Sequence, residues 1–338
     1  MPCPDSPPLP APAAPPLKLL ITGASGLVGR ALANTLAHDP QMRVRCAIRH
    51  RPAAPLAGVL AEGLDLLREN GWKEALQDID CLVHCAARVH VMRETASDPL
   101  AEFRQINRDA TLRLAERAVQ AGVRRLIFLS TLKVNGEATQ NGQAFRADDA
   151  PHPADPYALS KQEAEARLRQ LALASGLEVV IVRPPLVHGP GVKANLRALL
   201  RALAQGLPLP LATVDNRRSL VYLDNLVDFI RLCCFHPAAA NQTFLVSDGE
   251  DLSTPQLLRA LAAGLGRPAR LLPMPAGWLR LAARWLGREA IVERLLGSLT
   301  ADIGKNRALL GWTPPVSAVE GLRRTAAAYR ADNASAAD

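Results

Sequence analysis

No stretch of this 338-residue sequence approaches the roughly 20 consecutive apolar residues that a membrane-spanning helix requires. The run "LKLLITGASGLVG" is interrupted by glycines, and "WLRLAARWL" (278–286) is interrupted by arginines. The second stretch is expected to pack on its own domain, with contact to a membrane surface as the alternative. A disulfide framework is missing too: Cys3, Cys46, Cys81, Cys85, Cys233 and Cys234 follow no regular spacing, and no charged start with a small-residue cleavage site is visible. Both point to a reducing, cytoplasmic setting. The net charge of +8 is not gathered into a basic run, so no nucleic-acid partner is expected and a diffuse field suited to small phosphorylated ligands is. Internal repeats are absent as well.

What is present is apolar substance and alternation. Apolar residues make up 49% of the chain, enough for a large core. Residues 1–16, "MPCPDSPPLPAPAAPP", are proline-rich with little to bury and read as a disordered leader. From Leu17, short apolar runs ("KLLITG", "VRCAIR", "DCLVHCAA", "RRLIFLST", "EVVIVRPP") alternate with helical patterns. Continuous apolar strands alternating with helices predict a doubly wound parallel α/β sheet, a Rossmann domain, over 17–190. Beyond it the alternation loosens, with helices near 194–205, 224–235, 254–265 and 276–297. A smaller, mainly helical substrate region over 191–330 is expected, with one strand at 242–247 returning to the main sheet, then a frayed tail at 331–338.

"ITGASGLVG" places Gly23, Gly26 and Gly29 after the first strand and at the mouth of the first helix. Such glycines allow a tight turn, close approach of backbone to a pyrophosphate, and close helix-on-strand packing, which predicts dinucleotide binding. An acidic residue that would hold the adenosine ribose is missing at the end of the second strand; "AIRHRP" stands there instead. Arg49, beside His50 and Arg51, favours a 2′-phosphate and hence NADP(H) over NAD(H), with an exposed basic turn as the alternative. Asp65 and Leu66 follow a third strand and border the adenine or form a plain loop.

"DPYALSK" sets Tyr157 and Lys161 one helical turn apart, on one face of a helix. A phenol with an ordinary pKa near 10 exchanges protons near neutrality only when a cation stabilises its anion, and Lys161 is placed for that. A hydroxyl pair, Ser130 and Thr131, ends the intervening strand. Cys81, His84, Cys85 and His90 do not make a metal site, because Cys81 and Cys85 share one face of a strand while His84 takes the other.

With these motifs in order the chain resembles the extended short-chain dehydrogenase/reductases, in the NAD-dependent epimerase/dehydratase group acting on nucleotide sugars. The resemblance spans about 17–325 and also rests on Asn107, "RPPLVHGPG", "RRSLVYLDNLVD" and "DIGKNRALLGWTPP". It implies Thr131, Tyr157 and Lys161 as catalytic residues, with Tyr157 the proton donor. It implies cofactor contacts from Gly23, Ser25, Gly26, Leu27, Val28, Gly29, Cys85, Ala86, Ala87, Pro184 and Pro185, and from Lys161 to the nicotinamide ribose. For a UDP-sugar it implies Asn195 and Arg218 at the diphosphate; Arg88 also lies within reach of substrate, and His188 lines the pocket or fills space. A homodimer through helices near 102–121 and 157–175 is a further implication. "STLKVNGE", where relatives carry small and aromatic residues, favours a UDP-4-keto-6-deoxy-sugar 4-reductase, with Asn135 and Lys133 making the pocket wall polar. A UDP-glucose 4-epimerase is the alternative, and a cofactor-sensing binding protein, which would tend to lack Tyr157 and Lys161, is a lesser one. Leu132 and Lys133 after Thr131 argue against a dehydratase, which needs acid/base residues there.

Overall fold

A computed structural model describes residues 15–89, 98–140, 142–285, 287 and 289–334. Most of the proline-rich leader and His90 lie outside the described residues. Among the described residues nine strands form: β1 (Leu17–Thr22), β2 (Met42–Ala47), β3 (Val59–Ala61), β4 (Cys81–His84), β5 (Arg125–Leu129), β6 (Glu178–Arg183), β7 (Leu186–His188), β8 (Leu220–Tyr222) and β9 (Thr243–Leu245). The helices are α1 (Leu27–Leu36), α2 (Trp72–Leu76), α3 (Pro99–Arg104), α4 (Thr111–Gln120), α5 (Pro156–Ser175), α6 (Ala194–Ala204), α7 (Leu223–Phe235), α8 (Thr254–Gly264), α9 (Ala276–Trp285), α10 (Glu289–Leu296), α11 (Gly304–Leu310) and α12 (Ala318–Ala334).

Seven strands make one parallel sheet in the order β3-β2-β1-β4-β5-β6-β9. The period of two splits each strand between two cores. Leu19 and Ile21 join Cys81 and Val83 under α1 and α7. Leu20 and Leu82 face the other way, into the layer of α2, α4 and α5. Because both faces are covered, the strands read as unbroken apolar runs rather than as alternating ones. The chain reverses its direction of progress between β1 and β4, and ligands of such sheets sit at the carboxyl ends of the strands there.

Past residue 190 the chain does not leave the sheet behind. α7 covers its first face and β9 extends its edge beside β6. β7 and β8 pair as a small separate sheet, and α6, α8, α9 and α12 enclose a third core around Leu200, Leu258 and Leu322. The single helix expected over 276–297 is two, α9 and α10, separated at Gly287, which takes the left-handed φ of 61°. Residues 331–334, read as part of a frayed tail, continue α12.

Candidate active site

The glycine turn is built by contact. A Cβ on Gly23 (φ 68°) would lie 2.6 Å from the Ala86 nitrogen, and one on Gly29 only 2.3 Å from the Gly23 carbonyl oxygen. The first glycine thus lets β1 pass the end of β4, and the third seats α1 on the turn. Gly26 caps α1 without a side-chain hydrogen bond, and no acidic residue occupies the first helical turn. The N–H groups of Leu27 and Val28 at this ten-residue helix are therefore left for an anion, and the cradle fits a dinucleotide pyrophosphate.

Around the turn, Cys85, Ala86 and Ala87 continue β4. The Cys85 N–H donates to the Thr22 carbonyl at 3.2 Å, and the Ala86 N–H donates to the Thr22 hydroxyl at 3.4 Å. His84 points to the opposite face from Cys81 and stacks on Phe128. It shares hydrogen bonds with Thr22 (2.6 Å) and Thr111 (2.9 Å), and burial, with Lys161 nearby, holds it neutral with a pKa lowered to about 3. Pro184, buried, and Pro185 follow β6, and the Pro184 carbonyl accepts from Leu132 N–H at 2.8 Å. Asp65 closes its own turn through the Leu67 N–H, 2.9 Å away, and Leu66 packs on the second core. Arg49 is exposed just after β2, whereas Arg51 is paired with Glu62 at 2.6 Å.

Pro156 in the first turn and an Asp155 cap, which accepts from Ala158 N–H at 2.7 Å, start α5 immediately before Tyr157. Burial, reinforced by the Asp155 carboxylate, pushes the Tyr157 phenol above its ordinary range, so it is held protonated. Lys161 is buried, donates to the Leu129 carbonyl at 2.7 Å, and lies 4.2 Å from the centre of the Phe128 ring. Desolvation lowers its pKa to about 7. Thr131 is half-buried, and its hydroxyl accepts only a long bond, 3.3 Å, from Lys133 N–H.

Lys133 and Asn135 do not make a polar pocket wall. Lys133 pairs with the Asp155 cap and with Glu137, tying the segment after β5 to the start of α5. Asn135, 1% exposed, accepts from Arg183 at 2.9 Å and donates to the Arg146 carbonyl at 2.8 Å. Arg183 in turn grips the fully buried Glu165 with two bonds of 2.9 and 2.5 Å, and Glu165 also accepts from Ser130 at 2.6 Å. Sequence reading missed this network. Its one visible signal was an arginine ending the apolar run "EVVIVRPP".

Asn107 was read only as a motif residue, yet it sits in a π-helical turn (Gln105–Ala110) inserted between α3 and α4. Its amide clamps the Arg88 backbone at both N–H (2.9 Å) and carbonyl (3.0 Å) and donates to Ser160, which donates to the Tyr157 carbonyl. The Arg88 side chain lies on Phe103 and pairs with Glu102 at 2.8 Å. Asn195 is exposed in the first turn of α6, while Arg218 is half-buried and donates to the Gly297 carbonyl at 3.0 Å. His188 is fully buried between Thr325 and Asp248, a space-filling polar link rather than a pocket residue.

The chain is similar to known proteins over most of its length. The chain is 44% identical over 315 residues to a UDP-glucose 4-epimerase of Vibrio cholerae, covering 93% of this chain and 96% of that one. A short-chain dehydrogenase/reductase superfamily protein of Agrobacterium tumefaciens, solved with bound NAD, superposes with a TM-score of 0.74 at 21% identity, covering 95% and 99% of the two chains. MoeE5 in complex with UDP-glucose and NAD gives a TM-score of 0.73 at 26% identity, covering 94% and 99%. The family model for the NAD dependent epimerase/dehydratase family matches residues 19–247, well over half the chain, and the chain belongs to that family.

Proposed function

We propose that this protein works at C4 of a UDP-sugar, reducing a 4-keto-6-deoxy sugar with Tyr157 as the proton donor. The observation that carries the reading is Lys161, one turn after Tyr157 on α5, bonded to the Leu129 carbonyl at the end of β5, two residues before the Thr131 hydroxyl. A dinucleotide with its pyrophosphate on the glycine turn would supply the hydride from its reduced nicotinamide. Thr131 holds the sugar's O4 by a hydrogen bond, and Tyr157 gives O4 its proton. Lys161, bonded to the Leu129 carbonyl and with its pKa lowered to about 7, compensates the phenolate left behind and restores its proton. Arg49, exposed where an NAD-selecting acid would stand, supports NADP(H). Asn135, buried on Arg183, does not favour the reductase over the epimerase.

A second reading is a UDP-glucose 4-epimerase that keeps its NAD, and the 44% identity to the Vibrio cholerae enzyme favours it. In both readings the diphosphate is taken by Arg218 and Asn195, with Arg88 at the sugar, and the protein is a homodimer through the helices of 102–121 and 157–175. Leu173 on α5, 90% exposed, supports that interface. The deciding experiment supplies UDP-4-keto-6-deoxy-N-acetylglucosamine and follows reduced nicotinamide. Consumption that is faster with NADPH than with NADH is expected. Interconversion of UDP-glucose and UDP-galactose without added cofactor, and no reduction of the keto sugar, overturns the first reading in favour of the second; neither reaction overturns both.

A further inference from the structure

The stretch "WLRLAARWL" packs on its own domain through only one side. Leu279 and Ala283 of α9 are buried, whereas Trp278, Leu281 and Trp285, at 66%, 50% and 84% exposure, share the opposite face at helical spacing. Leu272, just before the helix, is 50% exposed as well. Residues 267–296 carry six arginines against two glutamates and no lysine or aspartate. Those glutamates, Glu293 and Glu289, reach Arg280 and Arg284 at 2.8 and 3.9 Å in solvent-exposed pairs, which are weak and leave the cationic surplus in place.

We propose that this face of α9 docks the protein on the surface of an anionic lipid bilayer. Indole rings are apolar with one N–H, and they favour the headgroup boundary; arginines around them meet anionic headgroups. No helix among the described residues is long and apolar enough to cross a membrane, so the contact is interfacial. A second copy of the chain fits the patch poorly. A two-fold interface would set one arginine surplus against the other, and a stable one takes roughly 20–30 residues a side, far more than this face offers.

The remaining tryptophans make the test direct. Trp72 and Trp312 are 2% and 5% exposed, so a change in intrinsic emission on adding vesicles reports Trp278 and Trp285. Full-length protein is mixed with vesicles of phosphatidylcholine alone or with added phosphatidylglycerol, sedimented, and its emission recorded. Expected are co-sedimentation and a blue shift with phosphatidylglycerol vesicles only, reversed by salt and lost in a Trp278→Ala, Trp285→Ala double variant of unchanged melting temperature. No sedimentation, equal binding to neutral vesicles, or undiminished binding by the variant overturns the proposal. So does self-association without vesicles that the double variant abolishes, which would assign the face to a second copy.

Discussion

Replacing Glu165 by glutamine tests whether the buried ion pair holds the site in place. The change keeps the shape of the side chain and removes its charge, leaving the Arg183 guanidinium, 2% exposed, with only neutral acceptors at Asn135 and residue 165. Breaking a buried pair in this way costs about 3–5 kcal/mol; because the amide oxygen still accepts one bond, the lower end applies, about 3 kcal/mol. With a urea slope of about 3 kcal/mol per molar, the unfolding midpoint falls by about 1 M. Emission of the buried Trp72 and Trp312 follows the transition. Ser130 donates to Glu165 at 2.6 Å and adjoins Thr131, so weakening that bond lowers kcat while KM for the UDP-sugar holds. Adding Arg183→Met removes the stranded charge and recovers about half of the lost stability. A Glu165→Gln cost below about 1 kcal/mol, or a double variant less stable than the single one, would refute the reasoning.

Further outcomes follow from the same geometry. Gly29→Ala sets a methyl 2.3 Å from the Gly23 carbonyl, so it lowers stability by about 1–3 kcal/mol and weakens dinucleotide binding, measurable by thermal melting with and without NAD(P)H. Lys161 has its pKa lowered from 10.5 to about 7, so between those values the unfolded chain holds a proton that the folded chain lacks. This group's contribution therefore improves as pH rises through that window and is at its full penalty below pH 7. Lys161→Met removes the penalty, worth a few kcal/mol, and its stability advantage over the parent in urea shrinks from pH 7 to pH 9, although turnover is lost. Arg49→Asp shifts the ratio of kcat/KM from NADPH toward NADH by at least tenfold, a differential of about 1.4 kcal/mol; an unchanged ratio would make Arg49 a solvated surface residue.

The parts legible in the sequence are those governed by local rules. The parallel sheet follows from apolar runs alternating with helical periods, and the turn of Gly23, Gly26 and Gly29 from backbone needs that only glycine meets. The split of Cys81 and His84 between faces follows from the strand's period of two. What stayed hidden depends on partners distant in the chain. Glu165 and Arg183 look like solvated charges until α5 is laid on β6. Asn135 reads as pocket lining until Arg183 claims it, and Lys133 as a departure from pattern until Asp155 comes within reach. Gly287 was a stop signal visible in the sequence, and the apolar periodicity around it masked the break between α9 and α10.

The central claim is that Tyr157 moves the proton at C4 of a UDP-sugar. Its most direct measurement compares the parent chain with Tyr157→Phe, following the sugar nucleotide by proton NMR and cofactor binding by titration. The account predicts that the parent converts the sugar at C4, that the variant loses at least a thousandfold in kcat, about 4 kcal/mol of transition-state stabilisation, and that cofactor affinity is retained. Equal turnover by the two proteins would contradict it.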